Sequence, residues 1–111
     1  MNDPRALAKL LEIARSTEAL ELRGYAIRKL GEHHDVEVIT QLVGLYDGEQ
    51  NLQVKATLIR AFGESHEKSA LHKLIAIARG DQSVELRKLA VRLLGESKDP
   101  EALKFLEDLL K

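Results

Sequence analysis

At 111 residues the chain is long enough for one domain with a single modest core. Its 17 basic residues are balanced by 18 acidic ones, and a net charge of −1 argues against a nucleic-acid partner or an anionic-membrane surface. Without cysteine there is no disulfide, thiolate metal site or thiol nucleophile, and no apolar run approaches the ~18 residues of a membrane span.

The amino-terminal stretch MNDPRALAKLLEIAR is too polar for a signal peptide, so a cytoplasmic protein is expected. Within it Ala6, Leu7, Leu10, Leu11 and Ala14 fall at helical spacing, with Arg5, Ala8, Lys9, Glu12 and Arg15 on the other face. That pattern predicts a helix over 4–15. Asp3-Pro4 places a capping carboxylate before a proline suited to the first helical position.

Beyond this helix one phrase recurs: RKLGEHHD at Arg28–Asp35, RAFGESHE at Arg60–Glu67 and RLLGESKD at Arg92–Asp99, each 32 residues after the last. Apolar columns keep the same step, as in Ile27, Ile59 and Val91, or Leu30, Phe62 and Leu94. The units are 16–47, 48–79 and 80–111, within a single domain spanning 1–111. Each holds two helical patterns. In the first helix of the middle unit, Leu52, Lys55, Ile59 and Phe62 share a stripe that Val54 and Leu58 widen. Second helices start at capping carboxylates, Asp35 and Asp99, the latter before Pro100. Gly48 and Gly80 fall where a left-handed terminating residue is expected, while Gly31, Gly63 and Gly95 predict a close approach or a tight turn late in the first helix. Nothing alternates with the period of a strand. One helical pair cannot bury its own stripe, but stacked pairs can. The fold expected is all-α: seven helices of roughly 12–14 residues in a right-handed α-solenoid of about 3.5 helical-hairpin repeats.

The string VELRKLAVRLLGESKDPEALKFLEDLL (Val84–Leu110) resembles the short HEAT-like repeat of phycobilin-lyase-type proteins and many bacterial and archaeal scaffold proteins. Arg23, Lys55 and Arg87 match the family's basic slot and Ala26 and Ala90 its small one, with Leu58 a departure. The resemblance implies a HEAT-repeat, protein-binding role, with second helices lining a concave face. A deoxyhypusine hydroxylase activity, known on such repeats, would need His-Glu pairs where this chain has Gly24-Tyr25, Ala56-Thr57 and Lys88-Leu89. A phycobilin lyase would need a tetrapyrrole pocket, and Tyr25, Tyr46, Phe62 and Phe105 are too scattered to build one.

Outward positions of the second helices include Lys9 and Glu12; Gln41, Gly44 and Asp47; Ser69, His72, Lys73 and Ala76; and Lys104, Phe105, Asp108 and Lys111. Gly44 and Ala76 would leave a shallow apolar patch beside Tyr46 and His72. The expected partner-binding set is therefore Lys9, Glu12, Gln41, Gly44, Tyr46, His72, Lys73, Ala76 and Phe105, receiving a protein or peptide. His34 and His66, one repeat apart, are expected on the order of 10 Å from each other, beyond the reach of one metal ion, and no catalytic, metal or cofactor residues are assigned. Arg28, Arg60 and Arg92 stand one turn from Glu32, Glu64 and Glu96, which predicts an exposed salt-bridge ladder. Leu106, Leu109 and Leu110 with Phe105 suggest an uncovered end, hence end-to-end self-association or a place in a longer array. A non-catalytic protein–protein interaction scaffold is the function expected, with a HEAT module holding a substrate for an associated enzyme, as in a lyase-type subunit, as the alternative.

Overall fold

The computed structural model describes residues 3–17 and 19–110. They form α1 (Pro4–Arg15), α2 (Leu20–Gly31), α3 (Val36–Gly48), α4 (Leu52–Glu64), α5 (Lys68–Gly80), α6 (Val84–Glu96) and α7 (Pro100–Leu109). The three capping carboxylates expected from sequence each accept a first-turn N–H. Asp3 takes that of Arg5 at 2.8 Å, Asp35 that of Glu37 at 2.8 Å and Asp99 that of Glu101 at 2.9 Å. Asn51 and Ser83 do the same for α4 and α6.

The helices stack in two layers, α2–α4–α6 against α3–α5–α7, with α1 packed on α2. The extents are 46 × 25 × 17 Å, and the shortest is close to two helices of ~8–10 Å spacing laid side by side. Between the layers lie Ile27, Leu30, Ile39, Leu42, Leu58, Ile59, Phe62 and Leu94, the apolar columns of the repeat, all essentially sealed from solvent. Each such side chain contributes about 1.5–3 kcal/mol on burial. The chain is an all-α helical repeat solenoid, with no strand among the described residues.

Two glycine expectations change. Gly48 and Gly80 are the last residues of their helices and no described glycine has positive φ, so neither is a left-handed terminator. The chain instead turns extended at Glu49 and Asp81. Those side chains accept the backbone N–H of Asn51 at 3.0 Å and Ser83 at 2.8 Å, turning each exit into the next entrance. Gly31 and Gly63 do serve close approach: a Cβ on Gly31 would stand 3.0 Å from Ala61 Cβ, and one on Gly63 3.0 Å from Leu93 Cδ1. Gly95 meets nothing within 4 Å.

The basic slot has a structural use. Arg23 donates to the carbonyl of Ala14 at 2.8 and 3.0 Å and to the Glu49 carboxylate. Lys55 stands 3.9 Å from Asp81, and Arg87 donates to the Asp81 carbonyl at 3.0 Å. The 26-residue reach from Arg23 to Glu49 recurs from Lys55 to Asp81, so one acid–base tie is repeated along the stack.

Candidate functional site

The charged and polar residues expected to bind a partner on α1, α3 and α5 already hold neighbouring side chains. Lys9 and Glu12 pair at 3.2 Å on α1, and Gln41 receives a hydrogen bond from Arg15 while donating to Glu37 at 3.3 Å. His72 shares Glu101 at 2.9 Å with Lys68, which also reaches Asp99 at 2.7 Å. These three charged partners act on one another: Lys68 holds the carboxyls of Asp99 and Glu101 below the usual range, and they raise Lys68 in return. Gly44 and Ala76 are exposed as expected. Tyr46, Lys73 and Ala76 come together in a shallow recess of about 200 Å³ that Asp47, Ile77, Gly80 and Asp81 complete, and the remaining positions are dispersed.

Two anchors expected on this face lie in the core. Tyr46 is 3% exposed and Phe105 6%. Tyr46 points inward because its hydroxyl finds Asp81 at 2.7 Å, while its ring contacts Phe62 and is flanked by the ammonium groups of Lys55 at 4.8 Å and Lys73 at 5.2 Å. Burial, then Asp81, pushes the Tyr46 hydroxyl well above its ordinary pKa. Phe105 is covered by the Arg79 guanidinium, 5.3 Å from the ring centre. Lys111 lies outside the described residues.

The histidines also differ from expectation. His34 and His66 are stacked with centroids 6.3 Å apart, because the glycine approach at Gly31 draws the ends of α2 and α4 together. Among the described residues no group of three or more His, Cys, Asp or Glu is placed to hold a metal ion.

The opposite face, formed by α2, α4 and α6, carries what the repeat pattern did not reveal. Small residues at Gly24, Ala56 and Thr57 leave a groove of about 660 Å³ between α2 and α4, bordered by Arg28 and Arg60. A second, of about 420 Å³ between α4 and α6, is bordered by Arg60 and Arg92. Ala56 and Arg60 line both, so the two grooves flank the same ridge of α4. The expected ladder does not form: among the described residues none of Arg28, Arg60 and Arg92 pairs with an acid. Glu32 caps the end of α2, and Glu64 and Glu96 end α4 and α6, where a carboxylate opposes the helix dipole. An acid placed carboxy-terminal to its base is also the weaker order of a helical pair. Glu32 pairs with Lys29 instead, at 3.7 Å. Leu20 also lines the groove, and Leu52 and Val84 share its column; all three are exposed. The α2–α4–α6 layer is the more closely packed of the two.

No helix among the described residues is long and apolar enough to cross a membrane. No curated protein matches the chain. HEAT repeats are the family that matches residues 46–111, from the end of α3 through α7. With more than half of its length matched and the same register running through the remainder, this chain belongs to the HEAT repeat family.

Proposed function

We propose that the chain is a non-catalytic protein-interaction scaffold that holds a peptide or helix against the α2–α4–α6 layer. HEAT repeats generally act as such scaffolds. The observation that carries the choice of face is the pair of grooves flanking α4, bordered by three arginines that pair with no acid among the described residues. Displacing water from these grooves breaks no ion pair of those arginines, whereas docking on α3–α5–α7 has to compete with the contacts that Gln41, His72 and Lys73 already make. The phycobilin-lyase-type resemblance belongs to the same reading, describing the repeat unit and not an activity. Capture from native lysate tests it, comparing the chain with Leu52→Glu/Arg60→Glu and with Gln41→Glu/His72→Glu/Lys73→Glu. Loss in the first variant alone is the expected result, and equal capture by all three sinks the assignment.

A second contact has its own support. Leu103 and Leu109 on α7 and Leu110 just after it are 59%, 49% and 90% exposed, an apolar edge suited to end-to-end association. Light scattering at rising concentration reads it, and Leu109→Glu/Leu110→Glu should hold the chain monomeric if it operates.

A further inference from the structure

The geometry points to an acidic, extended peptide as the occupant of the α2–α4–α6 face, with carboxylates three residues apart. Arg28, Arg60 and Arg92 are equivalent positions of successive parallel helices, so they form a row across the helix axes. Neighbouring packed helices lie ~8–10 Å apart. A polyproline II strand advances about 9 Å in three residues and returns every third side chain to the same edge. A peptide in that conformation therefore offers one carboxylate to each arginine in turn. A β-strand would present alternate acids to opposite sides and match the row poorly.

The other wall restricts the charge pattern. Glu21 and Glu85, seven residues ahead of Arg28 and Arg92, lie roughly 10 Å along the helix axes and also line the grooves, with Gln53 between them. An occupant acidic on every side would be repelled by them, while one acidic along a single edge would not. In the groove between α4 and α6 the Glu85 charge is partly answered by Lys88, 3.8 Å away, so the three arginines remain the unpaired cations of this face among the described residues. The ligand chemistry is thus a single row of carboxylates on a stiff backbone, and binding loses little entropy because that backbone is already extended.

This inference rests on the scaffold role proposed for the same face. Its test uses fluorescein-labelled (Glu-Pro-Pro)4 and an isomer of equal composition, Glu4Pro8, titrated against the whole chain by fluorescence anisotropy. The spaced peptide should bind the more tightly, weaken as salt rises, and lose about tenfold or more with Arg28→Ala/Arg60→Ala/Arg92→Ala. The three arginines are exposed, so circular dichroism should show the variant folded. Equal binding of the two peptides, unchanged binding by the folded variant, or no binding of either would overturn the inference. So would tighter binding of a single-stranded oligonucleotide or of anionic lipid vesicles, each of which would replace the peptide by another occupant. Peptide failure combined with retained, Leu52- and Arg60-dependent lysate capture would remove only the acidic partner and leave the scaffold role standing.

Discussion

The Tyr46 hydroxyl donates to the Asp81 carboxylate at 2.7 Å, joining α3 to the turn between α5 and α6. Asp81 in turn accepts the Ser83 N–H and faces Lys55, so a single side chain serves turn, neighbour helix and acid–base tie. Removing the hydroxyl leaves a mostly buried carboxylate short of one donor. Tyr46→Phe should lower stability by about 1–2 kcal/mol, read as a lower urea midpoint at unchanged slope. A variant as stable as the parent would show that Lys55 and Ser83 satisfy Asp81 by themselves.

That node also marks where sequence reasoning stopped. The apolar columns of Ile27 and Leu30 and the caps at Asp3, Asp35 and Asp99 were legible because each depends on local spacing alone. Tyr46 was misplaced although it stands 32 residues from both Ala14 and Ala78, whose column is buried; the distant Asp81 shows how a hydroxyl is accommodated at that inward position. The Arg23–Glu49 tie has a signal that went unused: Glu49 and Asp81 stand 32 residues apart, like every other column. The free arginines could not be read from periodicity, since Arg28 and Glu32 have the spacing of a helical pair and differ from one only by lying at a helix end.

Glu49 makes stability depend on pH. Burial alone would push its carboxyl up, but the hydrogen bond from Arg23 and the N–H groups of Asn51 and Gln50 more than offset this and hold it below its ordinary value of 4.5. A group depressed in the folded state contributes stability that is complete above the unfolded pKa and is lost as pH falls through the folded one. The advantage of the parent chain over Glu49→Gln should therefore be full near neutrality and shrink below about pH 4.5. Asp3, Asp99 and Glu101 are also depressed, so both chains should lose stability in acid, and the difference between them is the quantity to measure. A difference constant from pH 7 to pH 3 would count against the Arg23–Glu49 tie.

Gly31, Gly63 and Gly95 are equivalent in sequence and unlike in space. At Gly31 an added methyl meets Ala61 Cβ at 3.0 Å and its Cα at 3.6 Å, atoms fixed to the α4 backbone, so Gly31→Ala should cost about 1–3 kcal/mol. At Gly63 the obstacle is the end of the Leu93 side chain, which can rotate, so strain and improved helix propensity should nearly cancel. Gly95 faces open space, and Gly95→Ala should stabilise by about 1 kcal/mol. Denaturation midpoints should rank Gly95→Ala, then parent and Gly63→Ala together, then Gly31→Ala. A Gly31→Ala chain as stable as the parent would mean that α2 and α4 can separate without loss.

Ser69, in the column of Glu37 and Glu101, was expected to face solvent. Its Oγ is instead buried in the first turn of α5 with no hydrogen-bond partner. An unpaired buried hydroxyl forfeits its bonds to water without replacement, and serine is also the poorer helix former beside alanine. Ser69→Ala should accordingly raise stability by about 1 kcal/mol, with no change in helical content by circular dichroism. Ser69→Thr, which keeps the hydroxyl and adds a methyl, should not share the gain. If Ser69→Ala were the less stable chain, the hydroxyl would have to be satisfied by a bridging water.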